Sequence, residues 1–223
     1  GHEGNQYHAP FVLEYWENIR GPHFIPRMWE EATDKDNKDF IAVYKRLTGL
    51  SQEEFNDELF DAYRHFIAWD IPSIKEESKN FINKHSCKLT SDGNGYIISK
   101  DFCPQNYGYN AIKIDNPKSG TKIKLTLMGM LNLKDYKVEN KENACWRFGF
   151  VAINNNGDCI YSDMGKTSDN ATMDYEIPEN INNLWLVVMA SPLKHTKHVI
   201  DKSLGENTEK RIYNQWPYKI ILS

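Results

Sequence analysis

The stretch Lys122-Ile123-Lys124-Leu125-Thr126-Leu127 decides the fold class of the C-terminal part of this 223-residue chain. Every second side chain in the stretch is apolar. Because successive side chains of a β-strand point to opposite faces, this pattern predicts a strand with one buried face. Residues 146–151 and 173–177 follow the same rule. The continuous apolar run at residues 184–189 instead predicts a strand that is covered on both faces.

Turn residues separate these strands and complete the prediction for the C-terminal part. Asn154-Asn155-Asn156-Gly157-Asp158 is a hairpin signal, because asparagine and glycine tolerate positive φ angles. Further strand signals lie at residues 96–99, 109–114, 160–161 and 218–222. A total of about eight strands is typical of an antiparallel β-sandwich.

The N-terminal part has a different pattern, in which apolar residues recur at helical spacing. Ser51 followed by Glu54 forms a capping box, which predicts the start of a helix that continues to residue 67. Gly49 ends the preceding helix at its C′ position. The other helices are predicted at residues 9–20, 24–32, 40–47 and, with a more polar composition, 73–83.

The charge balance changes where the pattern changes. Residues 1–84 contain 10 basic and 16 acidic side chains, whereas residues 85–223 contain 17 basic and 15 acidic side chains. The sequence therefore predicts an α+β protein with two domains. A helical subdomain at residues 1–84 is followed by an antiparallel β-sandwich at residues 85–223.

The composition indicates a folded protein and excludes some functional classes. Apolar residues make up 40% of the chain and aromatic residues 13%, which is typical of globular proteins. The net charge of −4 provides no basic surplus for the phosphates of a nucleic acid, so no nucleic-acid partner is expected. The longest apolar run, residues 184–190, is far shorter than the ~20 residues of a membrane-spanning helix.

The cysteines and histidines do not specify a redox or metal site. The four cysteines all lie in the strand-rich part, and their spacing leaves both disulfides and free thiols open. They are Cys87, Cys103, Cys145 and Cys159. His2 and His8 are six residues apart, whereas two zinc ligands on one face of a helix need a spacing of four. We therefore expect no cofactor in this chain.

Loop positions supply the candidate binding residues. Aromatic side chains near strand ends are suited to stacking on sugar rings, and a pair of loop histidines is suited to polar contacts. The candidates are Tyr107, Tyr161, His195, His198 and Trp216. Trp146 and Trp185 lie within predicted strands, so we expect both in the core.

Five strings of the sequence are distinctive in combination. They are Glu53-Glu54-Phe55-Asn56-Asp57-Glu58, Trp69-Asp70, Cys103-Pro104-Gln105-Asn106-Tyr107-Gly108-Tyr109-Asn110, Trp146-Arg147-Phe148-Gly149-Phe150-Val151 and Gln215-Trp216-Pro217-Tyr218. Together they resemble an uncharacterised family of secreted bacterial zincin-like metallopeptidases with a C-terminal β-sandwich. The strand-rich part is also similar to bacterial pre-peptidase C-terminal domains, which are jelly-roll-like accessory modules. The resemblance implies that residues 1–84 are the end of a peptidase-like domain and that the protein is secreted or lies in the bacterial cell envelope.

No catalytic residue can be transferred from that family, because the chain contains no HExxH motif. We predict a non-catalytic C-terminal region of a secreted bacterial protein that binds, or scaffolds toward, a glycan or protein target. One alternative is part of a zinc metallopeptidase whose HExxH helix lies upstream of this chain, so that zinc would occur only in the longer protein. A second alternative is a purely structural domain.

Overall fold

The computed structural model describes residues 10–33, 36, 39–196 and 214–223 of the chain. Contacts within the chain divide it into two compact units, unit 1 (Gly1–Lys84) and unit 2 (His85–Ser223). Unit 1 is helical and unit 2 contains two antiparallel sheets, so the predicted α+β fold class is confirmed. In the described part of the chain, no helix is long and apolar enough to cross a lipid bilayer.

Unit 1 is built from helices with clear end signals. They are α1 (Pro10–Arg20), α2 (Phe24–Glu30), α3 (Phe40–Thr48) and α4 (Gln52–Phe66). The predicted capping box is present, because Ser51 Oγ accepts a hydrogen bond from the Glu54 N–H and Glu54 Oε2 accepts one from the Ser51 N–H. Gly49 ends α3 in the left-handed conformation at φ +74°.

The polar helix predicted at residues 73–83 is wrong. The chain instead forms turns and a single 3-10 turn at Lys79–Phe81. Phe81 is exposed, so this segment has no continuous apolar face to bury. A short helix gains most of its stability from packing such a face, and serine and asparagine residues compete with helical hydrogen bonds.

An aromatic core and a buried carboxylate stabilise unit 1. Trp16 stacks on Tyr44 with a ring-centroid distance of 4.0 Å, which joins α1 to α3. Asp36 lies before α3 and accepts two hydrogen bonds from the Arg46 guanidinium at 2.8 and 2.9 Å. The Thr33 N–H donates a further bond to Asp36 at 2.9 Å. These contacts hold the pKa of the Asp36 carboxyl well below its usual range.

Unit 2 is a sandwich of two five-stranded antiparallel sheets. Its strands are β1 (Leu89–Asp92), β2 (Gly95–Ile98), β3 (Tyr109–Ile114), β4 (Lys122–Gly129), β5 (Trp146–Asn154), β6 (Cys159–Tyr161), β7 (Gly165–Thr167), β8 (Asn170–Glu176), β9 (Ile181–Ala190) and β10 (Tyr218–Leu222). One sheet has the order β1-β2-β10-β4-β8, and the other has the order β3-β9-β5-β6 with β7 also paired to β5. The short strands β1 and β7 were not among the predicted strands.

The two sheets differ in how they are buried. In β4 the apolar side chains lie toward the core and alternate with more exposed ones, as predicted. The prediction that β9 is covered on both faces is confirmed, since residues 184–190 are all buried. β5 was predicted to have one buried face, but residues 146–153 are buried on both faces, including Arg147. Trp146 and Trp185 lie in the interior, as expected.

Local details of unit 2 follow the sequence signals. The predicted hairpin joins β5 to β6, and Asn154 Oδ1 accepts hydrogen bonds from the N–H groups of Asn156 and Asp158. Gly157 takes φ +86° in this turn. In the structure all four cysteines are free thiols. His2 and His8 lie outside the described residues.

Candidate functional site

The topology brings two predicted site residues, Tyr107 and His195, together at one end of the sandwich. β3 and β9 are antiparallel neighbours, with Tyr109 paired to Met189, so the segment before β3 lies beside the segment after β9. The Tyr107 N–H donates to the Ala190 carbonyl at 2.8 Å, and the Ala190 N–H donates to the Gly108 carbonyl at 2.9 Å. These two bonds extend the β3–β9 ladder to the candidate site.

The centre of the site is the Tyr107–His195 pair. The Tyr107 hydroxyl oxygen lies 2.8 Å from His195 Nδ1, and the two ring centroids are 5.8 Å apart. The hydroxyl donates when Nδ1 is unprotonated and accepts when Nδ1 carries the proton. Both residues are half-buried.

The backbone at Tyr107 is held in an unusual conformation. Tyr107 has φ +64°, a left-handed conformation that glycine and asparagine adopt far more readily than tyrosine. The next residue closes a tight turn, because the Gly108 N–H donates to the Gln105 carbonyl at 2.7 Å. A Cβ atom on Gly108 would lie only 3.1 Å from that carbonyl oxygen. Such a conformation persists where the surrounding structure fixes it, and it occurs often at binding sites.

A buried asparagine fixes the segment that carries His195. Asn143 has 6% of its surface exposed, and its Nδ2 donates to the Lys194 carbonyl at 2.9 Å. Its Oδ1 accepts from the Lys194 N–H at 2.6 Å, and its own carbonyl accepts from the Leu193 N–H at 3.0 Å. Asn143 therefore holds both backbone polar groups of the residue before His195. Sequence reasoning missed Asn143, which belongs to no recognisable motif.

Gln215 joins the segment before Tyr107 to two other loops. Its Nε2 donates to the Lys100 carbonyl at 3.0 Å, and its Oε1 accepts from the Lys137 N–H at 3.0 Å. It also forms an isolated β-bridge with Gln105, two residues before Tyr107. One side chain and its backbone thus connect three loops.

The binding prediction for Trp216 is wrong, because this side chain is fully buried. The Trp216 backbone N–H donates to the Pro104 carbonyl at 3.0 Å, and the Trp216 backbone carbonyl accepts from Trp146 Nε1 at 3.2 Å. The Trp146 and Trp216 rings meet edge to face at 6.4 Å. Trp216 therefore packs in the core of the sandwich and offers no ring face to a ligand.

Of the other two predicted residues, the structure describes only Tyr161, and it places Tyr161 away from the pair. Tyr161 is half-buried and lies opposite Val151, five residues along β5 from the Trp146–Ala190 pair. At ~3.3 Å per residue it is about 16 Å from that end of the sandwich. His198 lies outside the described residues. Within the described ranges, no three His, Cys, Asp or Glu side chains are grouped closely enough to hold one metal ion.

The chemistry of the site suits recognition of a polar ligand. A ring face, a hydroxyl and an imidazole occur together, and the neighbouring Asn106 has a buried Oδ1 with no hydrogen-bond partner among the described residues.

Burial raises the pKa of the nearby Cys103 thiol far above its usual value. Cys103 is therefore a protonated thiol at neutral pH, which makes it a poor nucleophile.

Comparisons with solved structures find distant similarity. The C-terminal family 22 carbohydrate-binding module of Clostridium thermocellum Xyn10B is 10% identical, with a TM-score of 0.33, covering 63% of this chain and 80% of that one. The Yersinia pseudotuberculosis-derived mitogen is 7% identical, with a TM-score of 0.33, covering 62% of this chain and 86% of that one. The secreted serine protease VesC of Vibrio cholerae is 11% identical, with a TM-score of 0.32, covering 66% of this chain and 26% of that one. Structural neighbours thus include carbohydrate-binding modules.

Comparisons of sequence identify a family. No curated protein matches the chain. A family model described as "Family of unknown function (DUF6055)" matches residues 1–223. That description names no activity, so the similarity to zincin-like metallopeptidases stays a prediction.

Proposed function

We propose that this chain, which belongs to the family of unknown function (DUF6055), is a non-catalytic binding region whose sandwich recognises a glycan through the Tyr107–His195 pair. The observation that carries the proposal is the hydrogen bond between these two side chains, which fixes an aromatic ring and an imidazole beside each other at a loop cluster. Tyr107 is held by the β3–β9 ladder and the segment before His195 by Asn143.

The combination of side chains favours a sugar as the ligand. An aromatic ring packs against the apolar C–H face of a pyranose, while a hydroxyl and an imidazole exchange hydrogen bonds with sugar hydroxyl groups. A site that is already fixed before binding loses less conformational entropy when the ligand arrives. The backbone contacts of Tyr107 and Lys194 supply that fixation.

The proposal extends to the setting of the protein. We infer that it acts outside the cell, which is what the resemblance of its five distinctive strings to a secreted bacterial family implies. If the target is a protein in place of a glycan, it would bind to the same Tyr107–His195 pair. If unit 2 is purely structural, its function would not require the Tyr107–His195 pair. If the chain is the accessory region of a zinc metallopeptidase, binding at this pair would hold the catalytic domain near its substrate.

The test compares matched tyrosine substitutions in the full chain. Retention on a panel of immobilised polysaccharides identifies a ligand, and titration then gives the dissociation constant. Tyr107→Asn removes the ring but suits the left-handed backbone, so binding should weaken at least ~10-fold. Tyr107→Phe removes only the hydroxyl and should weaken binding a few-fold, by about the value of one hydrogen bond.

Tyr96 supplies the control, because it is 48% exposed on β2 and has no part in the site. Tyr96→Asn and Tyr96→Phe should leave binding unchanged. Failure of the wild-type chain to bind any polysaccharide on the panel would count against a glycan ligand. Equal binding by wild type and Tyr107→Asn would show that a real ligand uses another surface.

A further inference from the structure

One edge of the sandwich carries a strand with an unpaired side. β8 lies at the end of its sheet and pairs only with β4. Among the described residues, the backbone of its other side accepts one hydrogen bond, from Thr167 Oγ1 to the Asn170 carbonyl at 2.9 Å, and the strand pairs with no second strand there. β8 is seven residues long and contains neither proline nor lysine, whereas β1 at the opposite edge has only four residues. β8 is thus neither very short nor interrupted by proline or lysine, three features that prevent an edge strand from pairing with another chain.

Apolar side chains beside this edge are incompletely covered. Ala171, Met173 and Tyr175 face the core, since they lie opposite the inward-facing residues of β4, but each is only half-buried. Tyr175 stacks on Phe150 of the other sheet with a centroid distance of 4.9 Å. Ile160 of β6, also on the core side, is 40% exposed. The gap between the sheet edges at β8 and β6 is therefore lined by apolar groups that a further strand would cover.

We propose that β8 pairs with β8 of a second copy of this chain, in an antiparallel register centred on Met173. Met173 then lies opposite itself, and Ala171 lies opposite Tyr175, a small side chain against a large one. Thr172 lies opposite Asp174, so a hydroxyl donor faces a carboxylate. The five-stranded sheet that ends in β8 then joins the same sheet of the second copy, and together they form one ten-stranded sheet with two-fold symmetry.

The other registers fit less well. A shift of one residue would place core-facing side chains opposite solvent-facing ones, which antiparallel pairing does not allow. A register centred on Asp174 would place two identical carboxylates opposite each other. A register centred on Thr172 would leave Tyr175 and Glu176 beyond the paired residues of the partner strand. The register centred on Met173 uses the whole strand and avoids like charges in opposed positions.

The experiment is sedimentation equilibrium of the full chain over a wide concentration range, with charge changes at Thr172. The wild type should show a reversible monomer–dimer equilibrium. Thr172→Asp places a second carboxylate opposite Asp174 at two symmetric positions, so the dimer dissociation constant should rise about five-fold or more. Thr172→Lys places an ammonium group there and should lower the constant by a similar factor.

Thr90→Asp is the matched control, because Thr90 is an exposed threonine on the opposite edge strand. It adds the same charge and should leave the equilibrium unchanged. A wild type that stays monomeric at every concentration would overturn the proposal. So would a dimer that responds to Thr90→Asp, or one for which Thr172→Asp and Thr172→Lys have the same effect.

Discussion

Removal of the Asn143 side chain is the most direct test of how the candidate site is built. Asn143→Ala eliminates two hydrogen bonds, from Nδ2 to the Lys194 carbonyl at 2.9 Å and from the Lys194 N–H to Oδ1 at 2.6 Å. Each such bond contributes about 0.5–1.5 kcal/mol net, so both together contribute roughly 1–3 kcal/mol. Lys194 is exposed, and water can replace part of what is lost. We therefore expect the free energy of unfolding to fall by ~1.5 kcal/mol.

Two measurements separate a local effect from a global one. Urea denaturation gives the change in the free energy of unfolding. Amide hydrogen exchange of Lys194 reports whether its N–H loses protection in the variant, as the loss of its acceptor predicts. Asn132→Ala is the control, because Asn132 is exposed and its Oδ1 accepts a hydrogen bond from the exposed Lys141 ammonium group. It should change the stability by less than ~0.5 kcal/mol.

A double-mutant cycle then tests whether Asn143 positions His195. If the Asn143 contacts keep the imidazole within reach of the Tyr107 hydroxyl, Tyr107→Phe should cost less stability in the Asn143→Ala background than in the wild type. The expected coupling is on the order of 0.5–1 kcal/mol. Strictly additive effects would refute this explanation, because Asn143 would then support the Lys194 backbone without affecting the pair.

Two further predictions concern unit 1. Gly49→Ala should lower the free energy of unfolding, measured by urea denaturation, by about 1 kcal/mol. Gly49 has φ +74°, and an added Cβ would meet no other atom within 4 Å, so the cost is backbone strain alone. An unchanged stability would contradict the left-handed end of α3. Asp36→Asn should destabilise the protein at pH 7, and its difference from wild type should shrink as the pH falls below about 4. The Arg46 contacts depress the folded pKa of Asp36, so their stabilisation is present above the unfolded pKa and is lost on acidification. Denaturation curves at pH 7, 4 and 3 that give a constant difference would contradict this role.

The elements that the sequence predicted well are those whose signals lie within a few residues. The Ser51–Glu54 capping box and the closure of α3 by Gly49 depend only on neighbouring backbone groups. The alternation in β4 likewise depends on one strand and its own two faces. Where a local pattern has no packing to support it, as at Lys79–Phe81, the helix prediction is wrong.

The elements that the sequence did not predict depend on distant partners. Asn143 and Lys194 are 51 residues apart, and no motif links an asparagine side chain to a backbone so far along the chain. The position of Trp216 near a strand end predicts a binding residue, yet Trp216 is fully buried and contacts Trp146. β5 alternates like a strand with one buried face but is buried on both, which a single-strand pattern cannot reveal.

The Tyr107–His195 pair lies between these two cases. The sequence predicted both residues as loop candidates, but they are 88 residues apart, and only the pairing of β3 with β9 brings them together. That pairing is fixed by the core, because Ile112 of β3 packs inside the sandwich. A slip of one residue would turn Ile112 outward and carry Tyr107 away from the Ala190 carbonyl. Burial of the apolar residues of β3 therefore sets the geometry of the pair, and a core substitution that loosens the β3–β9 contact should weaken the tyrosine–histidine hydrogen bond before it unfolds the sandwich.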